Sequence, residues 1–238
     1  MTVPRYTVTC TRNERVAEGV HELRFQKPER FTFRPGQFVL LEVPLVDAPQ
    51  DIQTRAFSIA SILSESELIF AMKLKPGGRA SRWITEILTS GTTVTMMGPF
   101  GFFFVNCETK REYLFIATST GIAPFRSQIH LLLSEGEHRR VDLVFGAREE
   151  EDLFWIEEFK NLTKRHENFF LHLALSQPSP AWKGHRGRVQ TLVPLIAKNL
   201  LEKDVYICGN PDMTGEVKTL CLSEWGIPKE NVHVEAYL

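Results

Sequence analysis

The chain has 238 residues, 43% hydrophobic and 24% charged, with a formal net charge of −1. That length suits one or two globular domains, and that charge gives no basis for binding nucleic acid. No apolar run reaches the roughly 18 residues of a membrane span, the N-terminus MTVPRYTVTC carries no secretory signal, and the four cysteines (Cys10, Cys107, Cys208, Cys221) lack C-x-x-C spacing, so a cytoplasmic protein without a metal centre or disulfide framework is expected.

Six short β segments are predicted over residues 1–107: Arg5–Thr11, Val20–Gln26, Gln37–Val43, Ala56–Ser61, Leu68–Lys73 and Thr92–Met97. Turn residues such as Arg34-Pro35-Gly36, Pro76-Gly77-Gly78 and Gly98-Pro99 separate them. Strands at this spacing predict an antiparallel β-barrel. One helix is expected within it at Arg82–Leu88, with Ser81 as N-cap. This half carries 12 Lys/Arg against 10 Asp/Glu. Arg5, Arg12, Arg15, Arg24, Lys27, Arg30 and Arg34 offer either a modest basic docking face or an ordinary solvated one.

Two stretches of the barrel half can carry chemistry. In Arg55-Ala-Phe-Ser-Ile-Ala-Ser61, strand alternation puts Arg55, Phe57 and Ile59 on one face. A guanidinium beside a flat ring suits a phosphate and a stacked heterocycle; an exposed Arg beside a core Phe fits equally. In Lys73-Leu-Lys-Pro-Gly-Gly-Arg-Ala-Ser81, two glycines precede a helix. Backbone N–H groups of Gly78–Ser81 can converge there on a pyrophosphate.

The rhythm changes at Val105–Arg111. Strands are predicted at Tyr113–Thr118, Val141–Gly146, Phe169–Leu175, Asp204–Cys208 and Val232–Glu235. Helical faces alternate with them: Ile122, Phe125, Ile129 and Leu132, ended by Gly136; Leu153, Ile156, Phe159 and Leu162; Val217, Leu220, Cys221 and Trp225, ended by Gly226. This alternation predicts an α/β domain with a parallel sheet over residues 108–238.

Ligands of such sheets gather at the carboxyl ends of the strands. In Ala117-Thr-Ser-Thr-Gly-Ile-Ala-Pro-Phe-Arg-Ser127, Gly121 permits a tight turn and close backbone approach. Pro124 suits the first helical position, and the hydroxyls of Thr118, Ser119 and Thr120 face that helix start. Neither G-x-G-x-x-G nor G-x-x-x-x-G-K-[ST] is present. Val205-Tyr-Ile-Cys-Gly-Asn-Pro-Asp-Met213 places Cys208 and Gly209 at another strand end. No neighbouring His activates Cys208 as a nucleophile. The C-terminal strand puts Glu235 and Tyr237 on one face.

RAFS (55–58), GGRAS (77–81), TGIAP (120–124), CGNPDM (208–213) and EAY (235–237), in this order, resemble the ferredoxin–NADP(+) reductase superfamily over essentially the whole chain. Ala117 and Ser119 stand where the family loop usually has glycine. The resemblance implies a six-stranded antiparallel flavin-binding barrel followed by a five-stranded parallel nucleotide domain. It implies that Arg55 binds flavin phosphate beside Ala56, Phe57 lies against the flavin, and Ser58 hydrogen-bonds the N5 region. Gly78, Arg79, Ala80 and Ser81 would cradle the FAD diphosphate. Thr120, Gly121 and Pro124 would bind the pyridine nucleotide, and Cys208 and Gly209 would border the nicotinamide. Glu235 would handle protons, and Tyr237 would approach the flavin's other face. Met72, Lys73 and Met213 complete the implied cofactor contacts.

The implied activity is hydride transfer between NAD(P)H and bound FAD, with Ser58, Cys208 and Glu235 as the catalytic set. Electrons then leave singly. The chain has no C-x4-C-x2-C segment, so the acceptor would be a separate ferredoxin, flavodoxin or oxygenase component. For a 2′-phosphate, Arg148 and Arg188 are candidate partners. Ser176 matches a family serine, whereas Gln177 stands where NADP-specific members usually carry arginine. The balance leans to NADPH, with NADH open. A reductase releasing free reduced flavin and an electron-transfer subunit of a larger complex are the alternatives.

Overall fold

In the computed structural model, which describes residues 3–237, backbone contacts divide the chain into two units. The first comprises Met1–Val105 with Arg126–Leu131, and the second Asn106–Phe125 with Leu132–Leu238. The sequence-based spans 1–107 and 108–238 begin and end on residues outside those described.

The first unit is one six-stranded antiparallel sheet. Its strands are β1 (Arg5–Ala17), β2 (Val20–Gln26), β3 (Phe38–Leu45), β4 (Ala48–Ser58), β5 (Glu67–Lys73) and β6 (Thr93–Phe100), in the order β4-β3-β6-β1-β2-β5. Val8, Leu23, Phe25, Val39, Leu41, Phe57 and Phe70 pack inside it. β4 starts eight residues before the predicted Ala56, and β1 runs six beyond the predicted Thr11. Most of these added positions are exposed, so no apolar alternation marks them. Their place comes from ladder bonds to neighbouring strands.

Helix α1 (Arg79–Glu86) buries Ala80, Ser81, Trp83 and Ile84. It begins three residues before the predicted start, with Gly78 rather than Ser81 at the N-cap. The Ser81 hydroxyl is used in the preceding turn, accepting the Lys75 N–H at 2.7 Å.

The second unit alternates strands and helices: β7 (Glu112–Thr118), α2 (Ile122–Ser134), β8 (Val141–Ala147), α3 (Ile156–Arg165), β9 (Phe169–Leu175), β10 (His185–Arg186), α4 (Val189–Ile196), β11 (Lys203–Gly209), α5 (Pro211–Ser223) and β12 (Val232–Ala236). The sheet is parallel, in the order β10-β9-β8-β7-β11-β12. It has six strands where five were expected, because the two-residue β10 adds to the edge of β9. Helix α4 also went unpredicted: β-branched Val189, Thr191 and Val193 and the internal Pro194 disguise it.

Helix α2 ends as its sequence dictates. Glu137 N–H donates to Leu132 O and Gly136 N–H to Leu133 O, with Gly136 at φ 78°. Among the described residues no helix is long and apolar enough to cross a membrane, and no group of His, Cys, Asp or Glu could hold a metal ion.

One buried feature had no sequence signal. Lys203 on β11 is 1% exposed, and its ammonium reaches Asp142 on β8 at 3.0 Å and Glu112 on β7 at 2.6 Å. Asp142 also accepts from Arg140 and pairs with His172 on β9 at 2.9 Å. Burial works to raise the Asp142 pKa, but the bonds to His172 and Arg140 and the Lys203 charge together hold it well below the usual carboxylate range.

Candidate functional site

In the first unit the site grows from the inner face of β4. Antiparallel register pairs Gln53 with Val43, Arg55 with Leu41 and Phe57 with Val39. Directly opposed residues share a face, so Arg55 projects on the core side of the sheet. Val43, Leu41 and Val39 are fully buried, yet Arg55 is only partly covered. Its guanidinium donates to Thr54 O at 2.8 Å and Gln53 Oε1 at 2.9 Å, and no carboxylate pairs with it among the described residues. A cation on the inner face of an edge strand, bonded to neutral acceptors only, suits an anionic ligand.

Phe57 is 6% exposed and packs edge-on to Phe70 at 6.1 Å, so it is part of the barrel core. Ala56 and Ser58 occupy the opposite face of β4, across from Leu40 and Phe38. Met72 is partly buried against the core, and the Lys73 ammonium donates to Glu18 O at 2.6 Å.

Helix α1 offers a second set of donors suited to an anion. No side chain caps its first turn and no acidic residue lies there. The Gly78 N–H is committed to Lys75 O at 3.0 Å, so the donors available for a pyrophosphate are those of Arg79, Ala80 and Ser81. The Arg79 side chain is anchored on β4, donating to Asp51 Oδ2 at 2.8 Å and Asp51 O at 2.6 Å. Asp51 lies on the same face of β4 as Arg55 by strand alternation. Guanidinium and uncapped helix start therefore border one strand face, a donor set that fits the phosphates of a dinucleotide.

The basic face of this unit is mostly neutralised. Arg5 pairs with Glu42, Arg12 with Glu14, Arg15 with Glu18, and Arg24 with Glu22 and Glu67. Arg34 has no carboxylate partner among the described residues and lies 3.8 Å over the Phe104 ring. Beside it Phe102 is 92% exposed, presented by a tight turn in which Phe104 N–H donates to Phe102 O at 2.8 Å.

In the second unit the strand order reverses between β7 and β11, the switch point where open α/β sheets bind ligands. β7 ends at Thr118 and β11 at Gly209. A 3-10 turn, Ser119–Gly121, links β7 to α2 and has no side-chain cap. The positive φ of this turn belongs to Ser119, at 51°, not to Gly121. Gly121 is required for packing instead: a Cβ there would lie 2.2 Å from Cys208 O. Gly209 matches it, with φ 144° and a Cβ position 2.4 Å from Thr118 Oγ1. Thr120 is 7% exposed, and Pro124 is the third residue of α2, not its first. Its missing N–H still falls in the first turn, where no helical acceptor is lost.

Cys208 is wholly buried between Ala117 on β7 and Glu235 on β12, its register partners. Burial, then the Glu235 carboxylate, push its thiol well above the ordinary range, against a hydrogen bond from the Tyr237 side chain. Cys208 is thus a neutral thiol that ties the carboxyl end of β11 to the C-terminal strand. Tyr237 N–H also donates to Gly209 O at 3.2 Å. Met213 is 7% exposed and belongs to the core under α5, which Asn210 caps by accepting the Asp212 N–H at 2.8 Å.

Arg148 and Arg188 are exposed, and neither guanidinium has a partner among the described residues. Ser176 and Gln177 N–H groups donate to Ala147 O at 3.1 Å and Arg148 O at 2.8 Å, which joins the carboxyl ends of β8 and β9. The nearby Arg186 is committed to Ser179, Pro180 and Trp182 carbonyls, and Glu150 to Ser179.

Residues 115–219 match the family model described as an oxidoreductase NAD-binding domain. The chain is 34% identical over 227 residues to ferredoxin–NADP reductase B of Sorangium cellulosum strain So ce56, covering 92% of this chain and 91% of that one. It is 30% identical over 208 residues to the toluate 1,2-dioxygenase electron transfer component of Pseudomonas putida, covering 87% of this chain and 60% of that longer protein. The crystal structure of the Amycolatopsis cytochrome P450 reductase GcoB superposes with a TM-score of 0.87 at 24% identity, over 99% of this chain and 71% of that one, and shows the same fold. The chain belongs to the ferredoxin–NADP reductase superfamily of FAD- and NAD(P)-dependent oxidoreductases.

Proposed function

We propose that this protein oxidises NADPH at a bound FAD and delivers the electrons one at a time to a separate ferredoxin, flavodoxin or oxygenase component. The observation that carries the reading is the inward-facing Arg55, without a carboxylate partner among the described residues, beside the uncapped start of α1. When bound, FAD supplies a ring that accepts two electrons together and releases them singly.

The residues divide the work. Arg55 neutralises phosphate charge, and the Arg79, Ala80 and Ser81 N–H groups orient the diphosphate. Ser58 offers a hydroxyl at the end of β4 to hydrogen-bond the flavin N5 region. Thr120 and the turn before α2 receive the pyridine nucleotide at the switch point. Cys208 stays protonated and shapes the nicotinamide border with Gly209, while Glu235 holds or moves a proton beside it. Tyr237, bonded to Cys208, stands next to both.

Arg148 and Arg188, without a side-chain partner among the described residues, and the hydroxyl of Ser176, all exposed beyond the sheet's carboxyl ends, support NADPH over NADH. Arg34 and the exposed Phe102 are the part of the barrel surface that supports a protein acceptor, since aromatic and Arg side chains anchor interfaces. The test is flavin content and coenzyme choice. The purified protein retains FAD near one per chain, and NADPH reduces it faster than NADH. A protein that takes up no flavin overturns the reading.

A further inference from the structure

Directly after Ser58 the chain leaves β4, yet its backbone is held more firmly than a strand exit requires. Ile59 N–H donates to Gln37 O at 2.9 Å and Ala60 N–H to Ile69 O at 2.9 Å. Their carbonyls are taken by side chains of α2: Ser127 Oγ donates to Ile59 O at 3.1 Å, and Arg126 Nη1 to Ala60 O at 2.8 Å. Arg126 is itself fixed. Its guanidinium is 7% exposed and forks onto Glu65, at 2.8 Å and 3.0 Å. Glu65 in turn accepts the Ile62 N–H at 2.7 Å. The next residue of α2, Gln128, is fully buried and donates to Phe103 O. All of these groups lie within the first unit.

We propose that Arg126 and Ser127 are positioning residues that set the Ser58 hydroxyl by clamping the two peptide carbonyls that follow it. A forked, buried guanidinium and a buried hydroxyl on two consecutive carbonyls over-determine the backbone one and two residues beyond Ser58. The Ile59 and Ala60 N–H groups already have backbone acceptors, so the two α2 side chains act on the carbonyls alone. Small displacements of a group that must meet a reacting atom are costly in rate, whereas they change fold stability little. The inference rests on the flavin reading of Ser58.

The test uses Ser127→Ala and Arg126→Lys, with Ser127→Thr as the conservative control and Ser58→Ala as the reporter. In the FAD-loaded protein, Ser127→Ala and Arg126→Lys should shift the flavin midpoint potential and visible spectrum. Each should lower kcat about tenfold with KM for the nucleotide unchanged, and Ser127→Thr should restore wild-type behaviour. In a Ser58→Ala background, Ser127→Ala should add no further shift. In the apoprotein, both variants should speed hydrogen exchange at the Ile59 and Ala60 amides. A shift that persists undiminished in the Ser58→Ala background overturns the proposal, as does a loss of thermal stability with potential, spectrum and kcat unchanged. Failure of the wild type to bind FAD would instead sink the functional reading, and the apoprotein exchange rates would still test the clamp.

Discussion

Gly121 and Cys208 meet backbone to backbone: a methyl group on Gly121 would stand 2.2 Å from the Cys208 carbonyl oxygen. The loop after β7 therefore rests directly on the end of β11, and the obstacle is main chain that has no rotamer to yield. Gly121→Ala should destabilise the fold by about 1–3 kcal/mol through overpacking. It should also weaken nucleotide binding, since the loop must lift. Denaturant unfolding and nucleotide titration of the variant check both effects.

Ser119 carries the complementary prediction. It holds φ 51° with a side chain where the family loop usually has glycine, a conformation that costs a non-glycine residue free energy. Ser119→Gly should stabilise the protein by up to about 1 kcal/mol, after the entropy glycine adds to the unfolded chain. Denaturant midpoints of wild type and variant measure it.

Arg55 should dominate FAD affinity. A charge-assisted bond to phosphate contributes about 1.5–3 kcal/mol, so Arg55→Ala should weaken FAD binding roughly 10- to 100-fold. Trp83, by contrast, is 1% exposed in the same unit, and Trp83→Ala should lower stability itself by about 3–5 kcal/mol. Flavin titration and thermal unfolding on the two variants separate the roles.

The buried Asp142 cluster is a liability if broken. Asp142→Asn leaves the 1% exposed Lys203 ammonium short of a counter-charge and should cost about 3–5 kcal/mol. Asp142 titrates well below its ordinary range in the folded protein. Its stabilisation is thus present above the unfolded carboxylate pKa and disappears as pH falls through the lower folded value. Acid unfolding of Asp142→Asn should show less pH dependence than wild type.

Histidines impose a milder pH dependence nearer neutrality. Burial lowers the pKa of His21, His185 and His233, with Arg15 and His172 adding to the effect at the first two and Asp204 opposing it at the third. Each binds a proton less readily folded than unfolded. Stability should therefore decline as pH drops below about 6.5, where the unfolded chain takes up protons first. His233 stacks on Tyr206 at 4.4 Å, so His233→Phe keeps the stacking and should flatten the decline. Unfolding midpoints between neutral and mildly acidic pH follow it.

Legibility in the sequence tracked burial. Val20–Gln26 and Phe169–Leu175 were read to the residue because apolar side chains mark their lengths. Ala48–Ser58 was mostly missed because its exposed face and uncovered inner face carry no pattern, although that bareness is what leaves Arg55 available. The turns before α1 and α2 were legible from glycines, proline and helix starts. Their details were not: Gly78 rather than Ser81 caps α1, and Gly121 serves packing while Ser119 takes the strained φ. Those roles depend on which backbone lies opposite, which spacing along one chain does not encode. The same holds for the Lys203–Asp142 pair and for the Arg126 clamp, whose partners lie 61 positions away in each case.

NADPH should reduce an FAD held by this chain. Anaerobic mixing of the FAD-loaded protein with NADPH or with NADH, followed at the flavin absorbance band, tests it directly. Both nucleotides should bleach the band, NADPH at the faster rate. A bound flavin that neither nucleotide bleaches would contradict it.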